Sequence, residues 1–419
     1  MAEIIPFKGI LYNVSKVSME DVLAPPYDII TPDYKEELYR KSPYNIVRID
    51  FGKDQPGDSK TDNRYTRARL YFEEWLYKEI FIQSKTPSFY AYGMDYKIKN
   101  KVKRLLGFLG LVKLEELGKG SIYPHECTYS NPKKDRLNLL VSCEANVSPI
   151  FSLYKSTENH ISTLLSGISL KKPYMESKDT EGAVHRLWPI DKKKDIEIIK
   201  RELNDKAIFI ADGHHRYETA LEFQREKKNK KIYSIAGEPS DYTLMFLANM
   251  LDEGLTVLPT HRLLKKIPDN IIKKLSEHFE VEPVKEDFKI TKKMSGKKHV
   301  FGFYQKMDKV WYLLKYRKNN LLEIVPDIDE IDVIVLHDIL LRKMFNITDV
   351  EYEMDINKAL DKVRRWDFDA AFFLNPTRVE DVEKAALSSV RMPPKSTYFY
   401  PKLLTGVVIN KFSVFDGYG

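Results

Sequence analysis

The sequence predicts a mixed α/β protein with both parallel and antiparallel strand pairing, divided into two or three lobes, and three observations indicate this. Short apolar runs bounded by turn residues, such as residues 206–211, have the length and composition of buried strands. Segments with apolar side chains at helical spacing, such as residues 63–79, alternate with these runs. A chain of 419 residues is also longer than a domain with a single hydrophobic core usually is, so we expect two or three lobes.

In the first third of the chain, apolar patterns and turn signals predict a sheet-rich α/β lobe. They predict a helix at 32–41, a short strand at 45–51, a helix at 63–79, and a hairpin over 87–116 with its turn at 99–101.

The middle of the chain continues the alternation of strands and helices. We predict a helix or strand leading into a buried strand at 137–154, a strand at 180–190, a helix at 192–204, a strand at 206–211, a helix at 217–228 and a buried element at 241–252.

A basic, charge-mixed segment from Val284 to Lys298 is predicted to be a linker. We therefore expect a mixed α/β region over 1–283 and a second α+β lobe over 284–419. In the second lobe the patterns predict a hairpin at 299–317, helices at 332–345 and 356–366, a strand at 369–376, a helix at 378–387 and a strand-like tail at 397–409.

The composition disfavours several classes of protein. The chain has 68 Lys and Arg against 61 Asp and Glu, an excess too small to predict nucleic-acid binding. Only Cys127 and Cys143 occur, too few for a disulfide framework, so a reducing cytoplasm is the expected location. The amino terminus lacks a continuous apolar region, and no window reaches the roughly 18 apolar residues of a membrane span.

The stretch FIADGHHRYETAL, residues 209–221, predicts a strand, a tight turn and a helix. Gly213 lets the backbone approach a ligand, and the helix start directs unpaired N–H groups to the same place. This geometry favours an anion such as phosphate. His214, His215 and Arg216 add donors.

A simpler interpretation of this stretch is that Asp212 only caps the helix while the histidines are solvated. A zinc site is disfavoured, because adjacent histidines point to different sides and no paired-histidine spacing follows.

Four further segments carry candidate functional side chains. In residues 123–136, lysine and arginine side chains are candidate phosphate ligands, and Glu126 or Asp135 is a candidate metal ligand or base. The alternative is a salt-bridged surface loop. The candidate phosphate ligands are Lys133 and Arg136, His261 and Arg262, and Lys395, Ser396, Thr397 and Lys402. The candidate substrate ligands are His125, Tyr27 and Asp28. For the tail segment, packing on the core is an equal alternative to a nucleotide site.

Six segments in this order resemble the widespread family catalogued as domain of unknown function 1015. They are APPYD, PHECT with PKKDR, EGAVHRLW, ADGHHRYETAL, LPTHR and KSTYFYPKLLTG. The resemblance covers nearly the whole chain and implies no activity by itself.

The DGHHR string is also similar to the nucleotide-binding box of the ParB/sulfiredoxin-like superfamily. That resemblance implies a ParB/sulfiredoxin-like nucleotide-binding core in which Gly213, His214, His215 and Arg216 hold nucleotide phosphates. His214 stands where sulfiredoxins have a reactive cysteine, which disfavours thiol chemistry. Chromosome-partition proteins carry a second arginine in this box, and none stands here.

The remaining branch, the free-serine kinases, implies a nucleotide-dependent phosphotransferase acting on the hydroxyl of a small metabolite, with L-serine as the best single candidate. ATP or ADP and Mg²⁺ are the implied cofactors. Lys133, Arg136 and Lys402 are then auxiliary phosphate ligands, Asp212 or Glu126 holds Mg²⁺ or acts as base, and His215 belongs to the catalytic set. The alternative is a non-enzymatic nucleotide-binding switch that acts on DNA or a protein.

Overall fold

The computed structural model describes residues 2–98, 100–230, 238–285, 287–317, 331–365 and 367–412. These residues form two compact units. The first comprises residues 1–124, 128–256 and 401–419, and the second comprises 125–127 and 257–400. No helix within the described ranges is long and apolar enough to cross a membrane.

Twenty-one strands are defined among the described residues. They are β1 Ile4–Ile5, β2 Ile10–Tyr12, β3 Phe81–Gln83, β4 Phe89–Ile98, β5 Lys101–Lys113, β6 Ile122–Pro124, β7 Ala145–Asn146, β8 Ile150–Tyr154, β9 Met175–Lys178, β10 Val184–Ile190, β11 Ile208–Asp212, β12 Tyr242–Asn249, β13 Thr256–Leu258, β14 His261–Leu264, β15 Phe279–Val284, β16 Val300–Gln305, β17 Val310–Tyr316, β18 Glu351–Glu353, β19 Ala370–Phe373, β20 Tyr398–Tyr400 and β21 Asn410–Lys411.

The same part of the chain contains thirteen α-helical segments. They are α1 Met19–Val22, α2 Pro32–Lys41, α3 Val47–Asp50, α4 Arg64–Tyr77, α5 Ser130–Cys143, α6 His160–Ser169, α7 Lys193–Leu203, α8 His214–Lys230, α9 Ile271–Ser276, α10 Asp287–Met294, α11 Asp332–Ile334, α12 Ile356–Arg365 and α13 Val379–Leu387. Helix α11 continues as a π-helix over Val335–Met344, and short 3₁₀ turns occur at Tyr27–Ile29 and Pro239–Asp241.

The first unit is built on a nine-stranded mixed sheet. Its strand order is β6-β11-β8-β12-β5-β4-β10-β9, and β1 pairs with β5. The pairs β6/β11 and β8/β12 are parallel, while the other pairs are antiparallel. Apolar side chains such as Phe108, Ile210 and Met245 form the core of this unit. The predicted mixed α/β class is confirmed.

The second unit contains a six-stranded antiparallel sheet in the order β15-β17-β16-β19-β14-β18. One face of this sheet packs Phe301 and Phe372 with the π-helix side chain Leu340. The opposite face packs Trp311 and Phe373 with helices α10 and α12. Because helices cover both faces, its central strands carry long apolar runs.

Local signals in the sequence account for the helix starts. The Thr31 hydroxyl accepts a hydrogen bond from Tyr34 N–H, and Pro32 occupies the first turn of α2. At α4, Asn63 and Thr66 form a reciprocal capping box.

The prediction of a strand at 45–51 is wrong, because residues Val47–Asp50 form helix α3. The Asn45 side chain accepts a hydrogen bond from Val47 N–H, and its amide donates to the carbonyls of Asp21 and Leu23. These contacts outweigh the β preference of Ile46, Val47 and Ile49.

The segment from 284 to 298, predicted to be a linker, contains the end of β15 and helix α10. Glu286 in this segment, Lys99 in the predicted hairpin turn and Trp366 at the end of the predicted helix lie outside the described residues. The assignment of nucleotide binding to residues 1–283 stays a prediction.

Candidate functional site

The turn between β11 and α8 has a conformation that requires glycine. Gly213 has φ of +98°, and a Cβ atom there would lie 2.9 Å from the Nε atom of Arg216. The α8 helix begins at the next residue, His214, and runs for 17 residues. The predicted strand, turn and helix are therefore present, with the helix starting three residues before the predicted 217.

Arg216 folds back over Gly213 and is held by the segment before β8. Its Nη1 donates to the Ser148 hydroxyl at 2.7 Å and to the carbonyl of Pro149. Its Nε is buried and has no hydrogen-bond partner among the described residues. The guanidinium thus has a defined orientation and an unused donor.

The two histidines have different environments. His214 is buried. The Nε2 atom of His215 accepts a hydrogen bond from the backbone N–H of Tyr129 at 2.9 Å, and the two rings stack. This contact selects the tautomer of His215 whose proton is on Nδ1.

Asp212 and Lys402 form an ion pair at the end of β11. Lys402 Nζ lies 2.8 Å from Asp212 Oδ2, and both side chains are largely buried. Two predicted site residues that are distant in the sequence are therefore together in the first unit. This pairing fixes the position of the Asp212 carboxylate at the start of the turn.

Lys133 and Arg136 lie on helix α5, which packs against α8. Lys133 Nζ is 3.1 Å from Glu218 Oε2 on α8. Arg136 is buried and donates to Asp50 at 2.9 Å and to Asp135 at 2.6 Å. Lys133 and Arg136 are thus held by carboxylates of this unit.

Tyr27 and Asp28 share a 3₁₀ turn with different exposure. The Arg136 guanidinium stacks 4.0 Å above the centre of the Tyr27 ring, and burial raises the pKa of Tyr27 to about 12. Asp28 is exposed. The Tyr27 ring therefore packs against the Arg136 guanidinium.

Asp50 is a buried carboxylate that sequence reasoning missed. Its Oδ1 accepts from Arg136, while its Oδ2 has no partner in the described part of the chain. Burial raises the pKa of Asp50, with the Arg136 guanidinium opposing this effect. Asp50, Arg136 and Arg216 line one small cavity. Asp50 is the last residue of helix α3 and lies within the segment 45–51 that was predicted as a strand, so no local signal marked it.

The remaining predicted residues lie together in the second unit. Glu126 Oε1 accepts from Ser396 N–H at 2.9 Å and from Thr397 N–H at 3.0 Å. His125 Nε2 lies 3.0 Å from the Thr397 hydroxyl oxygen. These hydrogen bonds from Ser396 and Thr397 to Glu126 connect the 396–397 backbone to the segment at 125–127.

Arg262 and His261 are buried in β14 of the second unit. Arg262 donates to the Thr260 hydroxyl at 2.8 Å and, at 3.4 Å, to the carbonyl of Lys395. Burial lowers the pKa of Arg262 to about 10 and that of His261 to about 3. His261 is thus uncharged at neutral pH.

One three-residue group among the described residues has the spacing of a metal site, namely Glu158, His160 and Glu202. Neither Asp212 nor Glu126 belongs to it. Magnesium bound with a nucleotide needs only one or two carboxylates, since phosphate oxygens and waters complete its shell. The metal-binding roles of Asp212 and Glu126 stay predictions.

Solved structures similar to this chain were found at low identity. A conserved hypothetical protein from Pyrococcus furiosus is 14% identical, with a TM-score of 0.35 over 67% of this chain and 87% of that chain. A free serine kinase mutant in complex with ADP is 11% identical, with a TM-score of 0.37 over 70% and 98%. SbnI from Staphylococcus aureus is 11% identical, with a TM-score of 0.34 over 71% and 85%. At these TM-scores the likeness carries no argument about activity.

No curated protein matches the chain. The model of the family described as protein of unknown function, DUF1015, matches residues 4–334. This match covers more than half of the 419 residues and includes the DGHHR turn. The chain therefore belongs to the DUF1015 family.

Proposed function

We propose that the protein is a nucleotide-dependent phosphotransferase that phosphorylates the hydroxyl of a small metabolite, with free L-serine as the best candidate. The observation that carries the proposal is the start of α8 directly after Gly213, with Arg216 folded back over the turn and its Nε unused within the described residues.

The charges around this turn favour a bound phosphate. The first turn of α8 carries no acidic residue, so its N–H groups and dipole face no carboxylate of their own helix. Lys402 and Arg216 add two cations in the same unit. A helix start with two cations supports binding of nucleotide phosphates.

The proposal gives Asp212 the metal-binding role. Mg²⁺ would supply charge neutralisation for the transferred phosphoryl group. Asp212 would hold the ion, and Lys402 would keep that carboxylate oriented. His214 and His215 contribute their backbone N–H groups at the helix start, and Glu126 in the second unit is left without a catalytic role.

Activity and nucleotide binding test this proposal together. Purified protein is incubated with Mg²⁺, L-serine and either ATP or ADP, and O-phosphoserine is measured by mass spectrometry. We expect product from the wild type. Arg216→Ala is expected to weaken nucleotide binding, measured by calorimetry, by about tenfold or more, because hydrogen bonds to charged groups contribute roughly 1.5–3 kcal/mol.

The matched control is Arg225→Ala, an exposed arginine on the same helix that pairs with Glu116. It should leave nucleotide binding and product formation unchanged. Unaltered nucleotide binding by the Arg216→Ala variant would rule out the proposed phosphate site. Nucleotide binding without product from a panel of hydroxyl compounds would instead support the alternative, a nucleotide-binding switch.

A further inference from the structure

Three potential metal ligands lie together in the first unit, where helices α6 and α7 pack against each other. Glu158 precedes α6, His160 is the first residue of that helix, and Glu202 is the last but one of α7. One ligand atom from each side chain lies within 4.8 Å of the other two. This group shares no residue with the candidate site at the start of α8.

The spacing of the ligand atoms suits a small tetrahedral ion. His160 Nδ1 lies 3.5 Å from Glu158 Oε2 and 3.7 Å from Glu202 Oε2. Zinc bonds to nitrogen and oxygen of about 2.0–2.2 Å, at tetrahedral angles, separate neighbouring ligand atoms by roughly 3.3–3.6 Å. The three side chains therefore need only small rotations to bind one such ion.

The buried carboxylate of Glu202 independently indicates a cation at this group. Its side chain is 1% exposed, and its Oε1 has no hydrogen-bond partner among the residues that the structure describes. Its Oε2, the oxygen near His160, accepts from Ile161 N–H at 2.9 Å and keeps a further lone pair. Because unused acceptors on a buried carboxylate cost free energy, a bound cation would stabilise the folded protein.

The lysine beside the group does not neutralise Glu202. Lys206 Nζ lies 3.5 Å from Glu158 Oε1 and 3.1 Å from Asp205 Oδ1. Within the described part of the chain these two carboxylates are its ion-pair partners. Glu158 Oε2, the oxygen near His160, is left for another cation.

We propose that Glu158, His160 and Glu202 bind a divalent transition-metal ion, and that Zn²⁺ is the ion they fit best. Imidazole nitrogen and carboxylate oxygen are both zinc ligands. Mg²⁺ and Ca²⁺ take oxygen ligands and would leave the imidazole unused. Three protein ligands leave the fourth tetrahedral position of zinc for water or another ligand.

The ion has a route to this group from solvent. His160 and Glu158 are 60% and 49% exposed, and His160 lines an open groove of about 740 Å³ between α6 and α7. Three lysines and one aspartate also line the groove. This excess of positive charge favours an anion over a neutral molecule as the fourth ligand.

Zinc binding to the full chain tests the inference. Protein freed of metal with a chelator is titrated with Zn²⁺ by calorimetry, and the visible spectrum of bound Co²⁺ reports the coordination geometry. We expect one Zn²⁺ per chain, a Co²⁺ spectrum of tetrahedral type, and a melting temperature that rises with Zn²⁺. Mg²⁺ at the same concentration should raise the melting temperature less. No Zn²⁺ binding would overturn the inference and leave Glu202 as a cap of α6.

Two variants locate the bound ion. His160→Ala and Glu202→Gln should each weaken Zn²⁺ binding at least about tenfold, because even residues that only orient a metal ligand contribute about 10–100-fold. His160→Ala also decides the matter if Glu202→Gln impairs folding, since the His160 side chain is exposed. The matched controls are His278→Ala and Glu197→Gln, which lie outside the group and should bind Zn²⁺ like the wild type.

Equal Zn²⁺ affinity of the wild type and His160→Ala would overturn the inference, because the ion would then be bound elsewhere. Equal losses in Glu202→Gln and in Glu197→Gln, an exposed residue of the same helix, would also overturn it, since binding would then reflect surface charge alone. These titrations contain neither nucleotide nor L-serine. Their outcome is therefore independent of the proposed function.

Discussion

At the scale of single residues, the candidate site depends on one backbone conformation and two unpaired polar atoms. Gly213 adopts a positive φ that brings Arg216 over the turn. The guanidinium and the Asp50 carboxylate then each keep one hydrogen-bonding position unused in the described residues. Buried polar atoms without partners are uncommon in folded proteins, so these two atoms are the features of the candidate site that most need an explanation.

Substitution of Gly213 tests the backbone part of this site. Gly213→Ala should lower the free energy of unfolding by about 1–2 kcal/mol, because an L-residue with positive φ is strained. Its Cβ would also displace the Arg216 guanidinium, which lies 2.9 Å away. The measurement is urea unfolding of both proteins.

The control is Gly167→Ala within helix α6, where φ is helical and a Cβ meets no atom within 4 Å. That change should raise stability by roughly 0.5–1 kcal/mol. If both glycine variants were equally stabilised, the strain at residue 213 would be disproved.

At the scale of elements, strand β14 shows how burial changes the chemistry of a motif. All four residues of His261–Leu264 are buried. The His-Arg pair was predicted to contact an anion, yet burial keeps His261 uncharged and Arg262 bonded to backbone and hydroxyl oxygens. In this strand the two residues pack within their own unit, and the anion-binding role stays a prediction.

The buried His261 predicts a pH dependence of stability. Its folded pKa of about 3 lies below the unfolded value near 6.5, so the unfolded chain binds more protons as the pH falls through 6.5. Stability should therefore decrease by about 2 kcal/mol between pH 7 and pH 5 from this residue. His261→Asn should lose that part of the pH dependence in urea unfolding.

His337 is an internal reference for this measurement, because burial lowers the pKa of His337 to about 4. The variant should keep the share of the pH dependence that comes from His337. An identical slope of stability against pH in wild type and His261→Asn would show that His261 is solvated.

At the scale of the whole molecule, the first unit is assembled from distant parts of the chain. Residues 401–419 belong to it although residues 257–400 form the second unit. The returning segment supplies Lys402 to the candidate site and pairs β21 with β7. The candidate site in the first unit therefore includes a residue that follows the second unit in the sequence.

Deletion of residues 401–419 should unfold the first unit. It removes five buried apolar side chains, each stabilising by roughly 1.5–3 kcal/mol, and the sum approaches the whole stability of a domain. These side chains are Leu403, Leu404, Val407, Val408 and Ile409. Circular dichroism and limited proteolysis measure the loss.

The control is Leu170→Ala, because Leu170 is an exposed apolar side chain of the first unit. It should keep the melting temperature of the wild type. A stable first unit after removal of 401–419 would contradict the contribution assigned to the returning segment.

The sequence by itself determined the alternation of helices and strands and the glycine turn before α8, because both depend on periodicity and on local backbone sterics. The prediction of a strand at 45–51 was wrong, because the hydrogen bonds of the Asn45 side chain outweighed the local β propensity.

Only the tertiary structure decided which polar groups meet. Asp50 and Arg136 are 86 residues apart, and Asp212 and Lys402 are 190 residues apart. Such pairs depend on strand order and on the return of the chain end to the first unit, for which no local pattern exists. The cavity beside Arg216 follows from the same packing, and so does the separation of the predicted site residues into two units.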